Sequence, residues 1–165
     1  LVTAAASSLT QGCNGVQIYY PNATPNSTTA TYLYCSDASA QRATIRSNGG
    51  IANFQANDLN LSDRREKHDF APAKRYLDVV CAIPVQTFKY IDQTDDEPTL
   101  GVVAQDVQAV APELVSESNW GTIDKPKMRL SVYQTDLQYA LMKAIQDLTA
   151  EVQVLRDRVA QLETK

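Results

Sequence analysis

The sequence predicts an α+β chain in two parts: a β-rich segment over residues 1–61 and a mixed segment over residues 62–165 that ends in a long helix. Three observations predict it. Of 15 basic and 19 acidic residues, only Asp37, Arg42, Arg46 and Asp58 fall before residue 62. The same 61 residues hold 20 Ser, Thr and Asn and are broken by Gly12, Gly15, Pro21, Pro25, Gly49 and Gly50, so they cannot be mainly helical. The last 30 residues carry Leu141, Ile145, Leu148, Val152, Leu155, Val159 and Leu162 at alternating steps of four and three, a heptad repeat.

Within the first part, Val16–Tyr20, Thr31–Cys35, Arg42–Ser47 and Gly50–Gln55 have the length and the β-branched or aromatic content of strands. Asn48-Gly49 suits a tight turn joining the last two. Four short strands bury little core alone, so this segment is expected to lean on neighbouring chains or to belong to a longer fibrous stalk. Asn22-Ala23-Thr24 and Asn26-Ser27-Thr28 have the form of glycosylation acceptors, but such triplets arise by chance in a loop this rich in Thr and Asn.

After Ser62 come a charged stretch to Lys67, a mixed segment Tyr76–Ile83 ended by Pro84, an extended run Val85–Ile91 and the acidic loop Asp92–Pro98. A β-hairpin or strand–loop–strand is expected through Leu100–Ala104. Gln105–Val110 reads as a short helix halted before Pro112, because proline disfavours helical geometry in the preceding residue. Asn119–Lys127 is a polar connection carrying the only tryptophan, Trp120. The long helix is expected at about 135–163, with Ile145, Val152 and Val159 at a positions and Leu141, Leu148, Leu155 and Leu162 at d. Upstream of about Leu148 the stripe is expected to pack on its own domain. Beyond it nothing remains in the chain to cover it, so the helix needs copies of itself. β-branched a with Leu at d favours two strands, a preference that an intertwined β-stalk of three chains would override.

Composition excludes several classes of function. A net charge of −4 and a pI near 4.9 leave no basic excess for binding nucleic acid. No run approaches the 18 or so apolar residues of a membrane span. Opening Leu1-Val2-Thr3 with neither a basic n-region nor an initiator Met, the chain is expected to be an internal fragment of something longer. Cys13, Cys35 and Cys81 fit no metal-binding spacing and His68 is the only imidazole, so no metal and no cofactor are expected. Cys13 and Cys35 are a candidate pair in an oxidising compartment.

Across the composition break runs Asn60-Leu61-Ser62-Asp63-Arg64-Arg65-Glu66-Lys67-His68-Asp69. A serine is a poor nucleophile until a base takes its proton, and a lysine can be that base once burial favours its neutral form. A five-residue offset puts two side chains about 140° apart on an ideal helix, so a Ser62–Lys67 contact requires a turn or irregular segment. On spacing alone the plainer reading is better: Ser62-Asp63 caps a helix, Glu66 reaches back, and Lys67 is a solvated charge. A triad of Ser62, His68 and Asp69 is disfavoured, since adjacent residues seldom converge on one point.

Ser62-Asp63-x-Arg65-x-Lys67, then Gly101-Val102-Val103-Ala104-Gln105-Asp106-Val107 leading to Pro112-Glu113-Leu114-Val115, then Tyr133 entering the last helix, resembles the C-terminal intramolecular chaperone domain of phage tailspikes and tail fibres. A related domain occurs in myelin regulatory factors. The resemblance covers residues 62–165, and Arg46–Leu61 looks like the end of a fibre that precedes such a domain. It implies an intertwined homotrimer in which residues 62–165 drive trimerisation and folding of the upstream fibre segment and then release themselves by a single self-cleavage. Carried over by position, Ser62 is the nucleophile, Lys67 the general base and Leu61–Ser62 the scissile bond of a self-cleaving serine endopeptidase. Glu66 and Phe70 depart from the usual pattern, an apolar and an aliphatic residue respectively, and would alter how dry Lys67 is. The implied setting is a virion tail fibre or spike for residues 1–61 and the host cytoplasm during assembly for the chaperone. The rival reading is a non-catalytic receptor-binding fibre tip, with Tyr19, Tyr20, Tyr32 and Tyr34 stacking on a host surface glycan and the rest a trimerisation tag.

Overall fold

A computed structural model of the chain describes residues 18, 20, 22–55, 59–121 and 125–164. These form two compact units. One holds the β-rich segment as far as His68 together with Lys89–Pro98; the other holds Asp69–Phe88 and Thr99–Lys165. The architecture is α+β, small antiparallel sheets followed by one long helix.

In the first unit, β1 (Thr31–Ser36), β2 (Gln41–Arg46) and β3 (Ile51–Asn53) make an antiparallel sheet in the order β1-β2-β3. The β2–β3 turn is the expected Asn-Gly turn. Gly49 takes φ 86°, a left-handed conformation that glycine adopts without steric penalty, and the Asn48 Oδ1 accepts from the Gly50 N–H at 3.1 Å. The β1–β2 turn is set by Asp37, whose Oδ1 accepts from the backbone N–H groups of Ser39 and Ala40 at 2.8 and 2.9 Å. Bonds from Ser39 and then Arg42 hold the Asp37 carboxyl well below the usual carboxylate range. Among the described residues the sheet has one buried side chain, Thr44, whose hydroxyl donates to the Leu33 carbonyl. Leu33, Tyr34, Ile45, Ile51 and Phe54 are exposed. The expected strand Val16–Tyr20 and the thiol of Cys13 lie outside the described residues; Cys35 and Cys81 are exposed free thiols.

The second unit has a true core. Helix α1 (Leu77–Ala82) leads to β4 (Gln86–Phe88), which pairs antiparallel with β5 (Thr99–Gly101). Helix α2 (Ala104–Val110) and a 3-10 turn at Pro112–Leu114 follow, then the hairpin β6 (Val115–Asn119) and β7 (Met128–Val132), then α3 (Gln134–Glu163). Ile83, Val107, Ala111, Leu114 and Ala140 are buried together, Val107 with no exposed surface. The motif blocks acquire physical reasons here. Gly101 lies against the Phe88 ring, where an added Cβ would meet the ring edge at 3.0 Å. Pro112 opens a turn whose missing N–H needs no partner, and that turn seats Leu114 in the core.

The mixed segment Tyr76–Ile83 is helical at Leu77–Ala82. The expected strand–loop–strand is β4 and β5 about the acidic loop, with the second strand ending at Gly101 and α2 begun by Ala104. Strands β6 and β7 flank the expected polar connection, with Trp120 exposed at its start. The largest correction concerns α3, about 45 Å long at about 1.5 Å per residue. Its domain-facing residues are not the heptad set: Ala140 and Ala144 are buried and Leu137 is half-buried, while Leu141, Ile145 and Leu148 are exposed along with every residue from Glu151 to Thr164. The docking face and the heptad stripe sit roughly one residue, about 100°, apart around the helix.

α1 has no cap of its own. Instead the Asp147 carboxylate of α3 accepts from the Tyr76 N–H at 2.9 Å and pairs with Lys143. Arg75 pairs with Glu151 one helical turn further along. The bond from Lys143, then that from the Tyr76 N–H, holds the Asp147 carboxyl below its ordinary range.

Val107→Ala removes two buried carbons and is expected to destabilise the second unit by about 2 kcal/mol, read as a lower urea midpoint at unchanged slope. A lowered folded-state value means that Asp147 stabilises the fold above its unfolded value, near 3.9, and that this contribution is lost as pH falls through the folded value. Thermal melts from pH 7 to pH 3 are therefore expected to fall more steeply for wild type than for Asp147→Asn, which is less stable at pH 7.

Candidate functional site

The chain arrives at Ser62 through Leu59 and Leu61, both largely exposed. Asp63 is extended, φ −64° and ψ 138°, and opens a single 3-10 turn over Arg64–Glu66; Lys67 leaves it extended, φ −135° and ψ 148°. This is the irregular segment that the five-residue offset requires. Across it the Lys67 Nζ donates to the Ser62 Oγ at 2.6 Å.

The turn is held by Asp63. Its Oδ1 accepts from the Arg65 N–H at 2.8 Å and from Arg65 Nε at 3.1 Å, and its Oδ2 accepts from Arg65 Nη2 at 2.8 Å. Those side-chain bonds, and then the backbone one, lower the Asp63 carboxyl below its usual range and raise the guanidinium of Arg65. The cap expected from Ser62-Asp63 with Glu66 reaching back thus exists in altered form: Asp63 caps, and Arg65 closes it. The turn also accounts for the spacing argument against the pair, since Ser62 and Lys67 flank the helical residues and neither lies within them. Ser62 and Lys67 are both exposed in the single chain.

His68 lies outside any helix or strand, and Asp69 takes φ 54°, a left-handed conformation that Asp tolerates better than most residues. Of the tyrosines considered for sugar stacking, Tyr20 packs its ring on Tyr32 at 5.2 Å and donates its hydroxyl to the Thr31 carbonyl, Tyr34 is exposed, and Tyr19 lies outside the described residues. Among the described residues no three His, Cys, Asp or Glu side chains are grouped to hold a metal ion, and no helix is long and apolar enough to cross a membrane.

A polar cluster in the second unit is not foreshadowed by spacing. Glu113, from the Pro112–Val115 block, pairs with Lys74 at 2.5 Å and accepts from the Tyr76 hydroxyl at 2.9 Å. The Lys74 bond is the main reason the Glu113 carboxyl is lowered, while burial followed by Glu113 raises Tyr76. The signal was present in the sequence only as a glutamate inside an otherwise apolar block.

A serine hydroxyl held against a lysine amine beside an exposed peptide bond is the arrangement of a serine-peptidase-type domain. Residues 62–116 match the family Peptidase_S74, described as chaperone of endosialidase, with the match starting at Ser62 itself. This match agrees with the likeness of the motif blocks to the C-terminal chaperone of phage tail proteins. The match takes in the Ser62–Lys67 block and the blocks at Gly101 and Pro112, and ends before α3. No curated protein matches the chain.

Proposed function

We propose that residues 62–165 are an intramolecular chaperone that assembles the upstream fibre segment as a homotrimer and then cuts the Leu61–Ser62 bond once. The observation that carries this is the 2.6 Å contact between Lys67 Nζ and Ser62 Oγ beside that bond. In the reaction, neutral Lys67 takes the Ser62 hydroxyl proton as Oγ attacks the Leu61 carbonyl carbon. The C–N bond then breaks, and Lys67 returns the proton to the departing Ser62 amine. Water hydrolyses the resulting Leu61 ester, leaving a Leu61 carboxylate and the Ser62 hydroxyl.

Lysine acts as a base only as the neutral amine, a form that a dry environment favours. With Ser62 and Lys67 both exposed in the single chain, packing against neighbouring copies is what would dry the pair, so cleavage follows assembly. Three features favour copies as the partner. The sheet of the first unit buries only Thr44 among its described residues, and α3 exposes Ile145, Val152, Leu155, Val159 and Leu162. One flanking pair also suits parallel helices in register: Arg158 stands at g and Glu163 at e, so Arg158 would face Glu163 of the neighbouring copy. Residues 1–61 would then remain as the mature fibre end in the virion.

The exposure of Ser62 and Lys67 also favours the rival reading, a non-catalytic fibre tip with a trimerisation tag. The intact mass of freshly expressed chain, taken under denaturing conditions, separates the two. Self-cleavage predicts that wild type splits between Leu61 and Ser62 while Ser62→Ala and Lys67→Ala stay whole; a wild type that stays whole as a trimer upholds the tag. Val152→Asp with Val159→Asp places charge in the seam and is expected to give monomers by sedimentation equilibrium and uncut chains by mass.

A further inference from the structure

The Arg64–Glu66 turn is too short to hold itself. Its own backbone bonds, Glu66 N–H to the Asp63 carbonyl and Lys67 N–H to the Arg64 carbonyl, are both 3.2 Å, at the long end of the normal range. A single turn of helix is unstable in water because nucleation fixes several dihedrals for one bond. The bonds made by the Asp63 carboxylate are shorter, charge-assisted and forked onto the planar guanidinium of Arg65.

We propose that Asp63, locked by Arg65, is the positioning residue that brings Lys67 onto Ser62. It touches neither reacting atom; it acts by fixing the turn that converts a five-residue separation into hydrogen-bond contact. The effect on rate rests on the self-cleavage reading above, but the geometric role does not.

Two measurements on the full chain test this. In the first, cleavage is followed by intact mass. Asp63→Ala is expected to slow it about 100-fold, as displacement of a catalytic group by about 1 Å does, while Asp63→Asn, which can still accept from the Arg65 N–H, recovers most of the rate. Sedimentation of Asp63→Ala is expected to match that of wild type, because Asp63 caps an exposed turn away from the core. In the second, Ser62→Cys is made with Cys13, Cys35 and Cys81 replaced by Ser, and its thiolate is titrated by ultraviolet absorbance. A thiol beside the Lys67 ammonium is expected to titrate about one unit below the ordinary value near 8.5, and Asp63→Ala to return it there. Loss of the Asp63 charge alone would move the thiol further down, so a return upward reports displacement of Lys67. If wild type is not cut but the thiol depends on Asp63 in this way, the positioning role stands and self-cleavage falls. If Asp63→Ala is cut at the wild-type rate, or leaves the thiol unchanged, the proposal is overturned.

Discussion

The second unit depends on the close approach of α3 to α1. The buried residues of α3 are two alanines, Ala140 and Ala144, small enough to permit a close approach, and Ala140 lies in the core. Directly beyond them Asp147 supplies the cap that α1 lacks, and Glu151 takes Arg75. A six-residue helix is marginal alone, so α1 exists because α3 satisfies its first amide and covers its apolar side. The rest follows by contact: Ile83 at the end of α1 joins Val107, Ala111 and Leu114 in one core with Ala140.

Much of this was legible in the sequence because local signals and the fold agreed. The period-two, β-branched runs and Asn48-Gly49 gave β1, β2, β3 and their turn to within two or three residues at each end, and Pro84 and Pro112 marked where α1 and α2 had to stop. What was hidden is what periodicity cannot carry. Residues Leu77–Ala82 contain too few residues to show a helical period, and their helix is fixed by a carboxylate some 70 positions away. The heptad stripe was conspicuous and drew the docking surface to itself, whereas the actual docking face is two alanines whose merit is small size. Serine, lysine and their offset were visible at the site. The fork between Asp63 and Arg65, which makes that offset usable, was not, because a capping pattern predicts a glutamate three residues on and the structure uses an arginine two residues on.

Among the described residues many large apolar side chains are exposed in the single chain. The first sheet presents leucine, tyrosine, isoleucine and phenylalanine to water, and α3 presents its seam for almost its whole length. The same is true of Ser62 and Lys67 in chemical terms: the pair is in contact but wet. Under the proposed function both deficits would have one remedy, other copies of the chain, and chemistry that starts only when those surfaces are covered would report on folding without a separate sensor.

The two faces of α3 also impose a phase. Since the docking face and the heptad stripe lie on one helix, the number of residues between Ala144 and the distal stripe sets the angle between the two faces. One inserted residue would swing the domains by about 100° relative to the seam, whereas seven would turn them by only about 20°. For a helix that pairs along its stripe as proposed, length changes would therefore be tolerated best in sevens, which leave the phase between stripe and docking face nearly unchanged.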